Sequence, residues 1–216
     1  MAKFLKAVLM LVSSAQLSLS ATVVAQQARA LSTESKPGFC RGLECPEFTT
    51  VHSAEGYDER QYSESKWVST EIMSMDYESA TSQGFERLFN YIDGHNDQKQ
   101  KVAMTAPVAT RVIPGQGPAC ESNFTVSFFI PAQHSANPPI PSDSDVFFST
   151  IPAHRAYVKS FGGFASQNDW IQAGTELGQA LEAASKSYDS SYFYTAGYDS
   201  PFTIFNRHNE VWFTAN

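Results

Sequence analysis

Two histidines and two glutamates are the side chains of this chain best suited to metal ligation or proton transfer. His95 follows the end of a predicted helix, and His208 precedes the last predicted strand. Imidazole is a common metal ligand, although a lone histidine is more often a surface or helix-capping residue. Glu71 and Glu210 lie on predicted strands and become candidate acids if the fold buries them. The spacing of these residues matches no known catalytic motif.

Catalytic motifs are missing elsewhere as well. The patterns Gly-x-Ser-x-Gly, GxxxxGK[ST], His-Glu-x-x-His and GxGxxG after a strand do not occur. Asp58 and Glu59 are adjacent on a predicted strand, so their side chains point to opposite faces and do not form an acid–base pair. We therefore expect a binding protein that is not an enzyme. A hydrolase remains a reserve hypothesis, which requires a buried carboxylate facing an open cleft.

Three cysteines, Cys40, Cys45 and Cys120, cannot all pair within one chain. A Cys40–Cys45 disulfide would close a short loop ahead of the domain and is the first choice, while Cys120 is a rival partner for either. The third thiol is then free, buried or bonded to another molecule. A monomer is expected, and a disulfide-linked dimer stays open. No CxxC pair occurs, so the pattern indicates neither a zinc site nor a thioredoxin-type centre.

The N-terminus has the layout of a secretory signal peptide. Two lysines precede an apolar run over residues 7–12, and small residues further on offer cleavage points. We predict a signal peptide at residues 1–25, with cleavage as late as residue 30, and a secreted protein. Asn123 then heads a glycosylation sequon, Asn-Phe-Thr. The apolar run is too short to cross a bilayer, and no later segment reaches transmembrane length.

The net charge excludes a nucleic-acid partner. Residues 1–30 contain Lys3, Lys6 and Arg29 and no acid, so the formal charge of -7 becomes -10 (-7 minus 3) without them. Such an acidic protein is repelled by phosphate backbones, and no basic stripe interleaved with aromatic residues is present.

The elements that must position these residues form two similar halves. Residues 31–56 carry prolines and glycines without periodicity and are predicted to be an N-terminal arm, followed by one domain at residues 57–216. In each half the predicted order is strand, strand, helix, strand, strand. The ranges are 57–62, 67–73, helix 77–93, 102–112 and 124–130, then 146–150, 156–161, helix 167–184, 192–198 and 210–214. Hairpin-linked strands with helices set apart predict an α+β fold.

Eight short segments, in order along nearly the whole domain, resemble the SOUL/haem-binding-protein family, and most of all its haem-binding-protein-2 branch. They include Tyr57-Asp58-Glu59-Arg60, Lys101-Val102-Ala103-Met104-Thr105-Ala106-Pro107-Val108, Tyr194-Thr195-Ala196-Gly197-Tyr198 and Arg207-His208-Asn209-Glu210-Val211-Trp212. The resemblance implies a distorted antiparallel β-barrel of two pseudo-repeated halves, flanked by two α-helices. It also implies non-covalent binding of haem or another tetrapyrrole, with the porphyrin in an apolar cleft between the helix at 77–94 and the loop at 200–209.

Carried over to this sequence, the resemblance names an apolar wall, axial ligands and partners for the propionates. The wall comprises Phe85, Leu88, Phe89, Ile92, Met104 and Phe202. The simpler alternative is that these side chains fill the core. The position of the family's proposed axial histidine holds Gln61, a poor iron ligand. The other histidines of the domain are His95, His134, His154 and His208, of which His95 and His208 are the metal candidates.

The family's basic residues for the propionates are not matched, so Arg87 and Arg207 are the candidates to replace them. For Arg207 the alternative is a structural ion pair with Glu210 or Asp199. The predicted function is that of a secreted, non-enzymatic haem or tetrapyrrole binder. The alternative is a secreted protein- or lipid-interaction module on the same fold that has lost haem binding.

Overall fold

The structure, a computed structural model, describes residues 37–117 and 119–216. The predicted signal peptide lies outside the described residues. The described chain contains two α-helices, nine strands and two short 3₁₀ helices at Gly38–Cys40 and Ala132–His134. In chain order the elements are β1 (Phe48–Ala54), β2 (Tyr57–Tyr62), β3 (Ser65–Ser74), α1 (Tyr77–Ile92), β4 (Val108–Ile113), β5 (Ser122–Phe129), β6 (Val146–Ile151), β7 (His154–Phe161), α2 (Gln167–Ala183), β8 (Phe193–Gly197) and β9 (Asn209–Thr214).

All nine strands join one antiparallel sheet, in the order β1-β2-β7-β9-β8-β4-β5-β3-β6. The order is symmetric about the β8–β4 pair, because β7-β9-β8 on one side mirrors β3-β5-β4 on the other. The first strand of each half, β2 or β6, pairs with the second strand of the other half. Within the described residues β1 and β6 are open edges, so the α+β class is confirmed but closure into a barrel is not.

Both helices cover the same face of this sheet. Helix α1 packs on β3 and β5, and α2 packs on β7 and β9. Tyr77 and Phe193 each contact the hydrophobic clusters under both helices. Helix α1 approaches β5 closely at Gly84, where a Cβ atom would lie 2.5 Å from a methyl group of Val126. The core of the domain therefore lies between the two helices and the sheet.

Part of the opposite face of the sheet is covered by residues 39–48. Alternation along β9 places Val211 under α2 and Trp212 on this second face. Trp212 clusters there with Tyr62, Ala196 and Tyr198, and residues Phe39–Phe48 pack over them. The described part of the predicted arm, residues 37–56, therefore belongs to the folded domain.

Two predicted boundaries were wrong. We expected regular structure to begin at Tyr57, but β1 begins at Phe48 and pairs with β2. Strand β1 is exposed along most of its length, so its sequence lacks the alternation that reveals a half-buried strand. The strand expected at 102–112 begins only at Val108, because the amides of Val102 and Ala106 donate to Ile92 and Glu44 outside the sheet and Pro107 has no amide proton.

No helix of the described residues is long and apolar enough to cross a membrane.

Candidate functional site

A row of four residues crosses the helix-covered face beside the start of the β8–β9 loop. Phe128 on β5 is opposite Val108 on β4, Val108 is opposite Gly197 on β8, and Gly197 is opposite Asn209 on β9. Thr195 faces the helices, because its hydroxyl lies 2.7 Å from the Tyr77 hydroxyl. Gly197 is two residues further along the strand and faces the same way. A Cβ atom on Gly197 would meet no atom within 4 Å, so this part of the sheet surface is open.

Helix α1 borders the open floor with two aromatic rings. The Phe85 ring meets Phe128 edge-on at a centroid distance of 5.3 Å, and Phe89 stacks on Phe85 at 5.9 Å. Phe89 is 47% exposed, and both rings line a depression of about 220 Å³ on α1 itself, whose other lining residues are Glu86 and Asn90. Met104 is partly buried and packs, like Val108, against the cluster that holds Phe85. These side chains form an apolar surface on the α1 side of the row, next to Phe128.

Two of the predicted wall residues lie in the core instead. Leu88 is fully buried and Ile92 nearly so, in the cluster that joins α1 to β3 and β5. They occupy the side of the helix that faces the sheet, whereas Phe85 and Phe89 lie toward its border. Leu88 and Ile92 support the wall but do not present surface to a ligand.

The β8–β9 loop, residues 198–208, presents large apolar side chains to solvent. Phe202 is 91% exposed, and Ile204 and Phe205 are exposed as well. Sequence reasoning selected Phe202 and missed the other two, although the run Phe-Thr-Ile-Phe at 202–205 contains them all. Phe164, which precedes α2, is a fourth exposed apolar residue near the loop. Such clustering of exposed apolar side chains is typical of a ligand or partner surface.

Arg207 shapes this loop from within. Its Nη1 donates to the carbonyl oxygens of Ser200 at 2.7 Å and Thr203 at 2.8 Å, and its guanidinium carbon lies 4.3 Å from the centre of the Phe164 ring. The expected alternative of an ion pair with Glu210 or Asp199 was therefore wrong: Arg207 binds main-chain carbonyls. These hydrogen bonds commit Nη1 to the loop, but main-chain carbonyls do not neutralise the charge of the guanidinium.

The other predicted basic residue lies at a different place. Arg87 is 3.3 Å from the Asp145 carboxylate and donates to Thr70 at 3.2 Å. It lines a depression of about 430 Å³ between α1 and the β3–β6 edge, together with the predicted acid Glu71. The structure does not bring Arg87 and Arg207 together.

The residues considered for iron ligation are separated and engaged. His95 is exposed, with its Nδ1 3.1 Å from the Asn90 carbonyl. Gln61 donates to the carbonyl of His154 at 3.0 Å and lies in β2, with Tyr57 and Glu59 on the side covered by α2. No group of three His, Cys, Asp or Glu residues suited to a metal occurs in residues 37–117 and 119–216. The described residues therefore do not bring these side chains together as a metal centre.

His208 belongs to a buried polar network centred on Glu210. The Glu210 side chain is fully buried, and its Oε1 accepts hydrogen bonds from Arg60 at 3.0 Å and from His208 Nε2 at 2.7 Å. Its Oε2 accepts from Tyr198 and Trp212, each at 2.8 Å. An ionised carboxylate donates no hydrogen bond and accepts at about four lone-pair sites, so these four donors saturate the Glu210 side chain.

The network keeps Glu210 ionised. Burial by itself would raise the pKa of the Glu210 carboxyl, but the hydrogen bond from His208 and the charge of Arg60 outweigh it, and the pKa lies below its ordinary value. Burial would likewise lower the pKa of Arg60, yet the facing Glu210 carboxylate raises it. Burial and the same carboxylate raise the pKa of Tyr198 well above normal.

Both deeply buried carboxylates of β2 and β9 are paired. Glu59 accepts from Arg155 at 2.9 Å and from Lys186 at 3.1 Å, and Glu210 is saturated as described. Glu71, the other candidate acid, is exposed. The hydrolase hypothesis required an unpaired buried carboxylate in an open cleft, so these three residues give it no support.

The cysteines and the sequon lie away from the open floor. Cys40 and Cys45 form a disulfide, and Cys120 is an exposed free thiol in the β4–β5 connection. Asn123 is the second residue of β5 and is half-buried. A glycan on Asn123 stays a prediction.

Comparison with known proteins decides the family. Residues 43–214 match the family described as SOUL heme-binding protein. This chain belongs to that family. Human "Heme-binding protein 2" is 43% identical over 156 residues, which are 72% of this chain and 76% of the human protein. "Heme-binding protein 1" of Xenopus laevis is 32% identical over 74% of this chain and 84% of that protein.

Solved structures resemble the SOUL domain in fold alone. The EcmrR C-terminal domain superposes with a TM-score of 0.56 at 14% identity, over 74% of this chain and 98% of that one. A hydrolase from Listeria innocua gives a TM-score of 0.51 at 8% identity, over 77% and 94%. At such low identity neither likeness bears on activity.

In the SOUL domain, replacing Glu210 with glutamine should lower the free energy of unfolding at neutral pH by about 3–5 kcal/mol, because Arg60 loses its buried carboxylate partner and keeps only Asp58, which is 3.4 Å away and partly exposed. The Glu210 pKa is lowered on folding, so its contribution is complete above the ordinary value of about 4.3 and is lost as the pH falls through the folded value. Urea unfolding of both proteins should show the difference largest near neutrality and smaller at about pH 3.

The matched control is Glu176→Gln, because Glu176 is an exposed carboxylate that accepts hydrogen bonds from Gln172 and Lys159. It should change the unfolding free energy by less than about 0.5 kcal/mol. If the difference in unfolding free energy between the wild type and Glu210→Gln were as large at about pH 3 as at neutral pH, the lowered pKa of Glu210 would be contradicted.

Proposed function

We propose that this protein is a secreted, non-enzymatic binder of haem or another tetrapyrrole. The ligand is held non-covalently in the apolar cleft between α1 and the β8–β9 loop. The observation that carries the proposal is the open sheet surface at Gly197, together with the exposed aromatic side chains of Phe89 on α1 and Phe202 on the β8–β9 loop. Membership in the SOUL family supports the same ligand class.

Apolar contact is sufficient to hold a macrocycle in such a place. Removing apolar area from water contributes about 25 cal/mol per Å². Burying roughly 600 Å² between the two partners is therefore worth about 15 kcal/mol, from which association costs of about 4–15 kcal/mol are subtracted. The balance depends on how well the walls are ordered before binding. A flat ring that lies on the sheet at Gly197 can contact the apolar side chains of α1 and of the β8–β9 loop together. It therefore buries more apolar area in the cleft than on a single exposed residue.

The iron of haem finds no strong protein ligand here. Gln61 is bonded to a main-chain carbonyl on the side covered by α2, and His208 is bonded to Glu210 and stacked on Phe39 at 4.1 Å. We therefore assign the affinity to ring burial and none of it to coordination.

Titration of the mature protein with haemin and with iron-free protoporphyrin IX tests this assignment. Both should bind saturably near one equivalent, with dissociation constants that agree within about threefold, because a missing coordinate bond removes the advantage of iron. Absorbance in the Soret region and quenching of tryptophan fluorescence report the two titrations. Haemin binding more than about tenfold tighter would show that a side chain ligates the iron, and no saturable change with either compound would end the proposal.

Filling the floor should weaken binding without harming the fold. Gly197→Leu places a side chain where no atom lies within 4 Å, in a backbone conformation open to other residues, and should weaken protoporphyrin binding at least about tenfold. Gly117→Leu is the matched control, because Gly117 also has open space at its Cβ position but lies in the β4–β5 connection. If the wild type and both variants bound protoporphyrin equally well, the ligand would not bind at Gly197.

Export is part of the proposal and rests on the N-terminal sequence together with the Cys40–Cys45 disulfide, since disulfides persist in oxidising compartments. Expression of the full chain in a eukaryotic secretory host should place the protein in the medium. N-terminal sequencing should then begin between residues 26 and 31. Retention in the cytosol with the initiating residues intact would contradict export.

A second candidate function has one observation in its favour. Phe164, Phe202, Ile204 and Phe205 are all exposed, and so many apolar side chains also suit a protein or lipid partner. On this alternative, the haemin spectrum stays unchanged while a defined partner binds, and serine at Phe202 and Phe205 abolishes that binding.

A further inference from the structure

The segment closed by the Cys40–Cys45 disulfide is bonded directly to the β8–β9 loop. Arg41 lies within the disulfide ring, and its Nε donates to the Asp199 carboxylate at 2.9 Å. Its Nη2 donates to the main-chain carbonyl of Asn206. The other Asp199 oxygen accepts from the His208 amide at 2.6 Å. One guanidinium therefore ties the beginning and the end of the loop together.

Phe39 makes a second connection beside the first. Its ring stacks on His208 at a centroid distance of 4.1 Å with 7° between the planes, and it meets Tyr198 edge-on at 4.9 Å. Tyr198 and His208 are the two ends of the β8–β9 loop. Phe39 and Arg41 are the residues directly before and after Cys40, so both chain neighbours of this disulfide cysteine contact the β8–β9 loop.

The disulfide fixes the geometry from which these contacts are made. Arg41 has a φ of 55° and Gly42 a φ of 80°, so the chain turns through the left-handed region directly after Cys40. For Arg41 this conformation is unfavourable in a free chain. The covalent ring limits the alternatives available to Arg41. Cys40 is fully buried and Cys45 is partly exposed.

We propose that the Cys40–Cys45 segment is a clamp that orders the β8–β9 loop for ligand binding, and that opening the disulfide lowers the affinity of the cleft. This inference rests on the proposed function. The opening step needs a dithiol reductant: the S–S bond breaks, Cys40 and Cys45 gain two electrons and two protons as thiols, and the reductant becomes a disulfide. Arg41 is a positioning residue, since it acts on the loop and not on the ligand.

Two variants separate the covalent bond from the contacts that it supports. The double variant Cys40→Ser/Cys45→Ser lacks the disulfide, and Arg41→Ala keeps the disulfide but lacks the bonds to Asp199 and Asn206. Lys66→Ala is the matched control, because Lys66 also reaches across to a distant main-chain carbonyl, that of Ser135 at 2.9 Å, and touches neither the clamp nor the loop. Iron-free protoporphyrin IX is the probe, which avoids reaction between a thiol and haemin.

Hydrogen exchange of residues 198–208 and the protoporphyrin dissociation constant are measured for each protein. We expect faster exchange and a dissociation constant raised about tenfold in both clamp variants, because the affinity falls with the fraction of molecules whose loop is ordered. Reduction of the wild type with dithiothreitol should give the same result, and Lys66→Ala should match the wild type.

Unchanged exchange of residues 198–208 in Arg41→Ala would overturn the clamp. Faster exchange with an unchanged dissociation constant would overturn its role in binding. If protoporphyrin binds to none of the proteins, the proposed function fails, while the exchange data still decide whether the segment orders the loop.

Discussion

The hydrogen bonds that Glu210 accepts are the interactions on which the position of the β8–β9 loop depends. Its four donors come from β2, from both ends of the β8–β9 loop and from β9 itself. A buried ion pair adds little stability by comparison with apolar packing, but it strongly penalises every arrangement in which one partner is missing. Tyr198 and His208 therefore have a single favourable position each. The β8–β9 loop starts and ends at these two residues, so both of its ends are held in place.

The exchange of strands between the halves explains where the cleft forms. Because β2 pairs with β7 and β6 pairs with β3, neither half completes its sheet alone. The halves meet directly at the β4–β8 pair, and Val108 and Gly197 are opposite each other at the end of that pair. Each helix covers its own half, so the surface along the junction is left between them. An open floor at Gly197 is thus a consequence of the repeat, together with the absence of a side chain at one position.

Local sequence patterns predicted most of the fold but little of the site's chemistry. The helix at 77–92 follows from apolar residues spaced by about 3.6 positions and from Gly94, whose φ of 111° suits a helix end. The start of α2 follows from Ser166 and Asp169, whose carboxylate accepts the Ser166 amide at 2.8 Å. By contrast, the Arg60–Glu210 pair joins residues 150 positions apart, and no periodicity relates them. Glu210 and Asp199 were the alternative partners expected for Arg207, whereas the fold pairs Glu210 with Arg60. The exposure of Phe89 and the burial of Leu88 depend on how α1 sits on β5, which the helical spacing alone does not fix.

On the proposed function, affinity is governed by order in the loop and not by metal chemistry. A coordinate bond would give a binding strength that depends mainly on the ligand atom, with the surrounding chain in a supporting role. When ring burial supplies the favourable free energy, the observed dissociation constant equals the intrinsic one divided by the fraction of molecules in which the walls are in place. Phe202, Ile204 and Phe205 expose apolar surface to water in the free protein, so these side chains contribute little packing to hold the loop. Its order comes from Arg207 within it, from Glu210 at its base and from Arg41 at its flank. A protein built in this way can change its affinity through contacts distant from the ligand, while the aromatic surface that meets the ring stays unchanged.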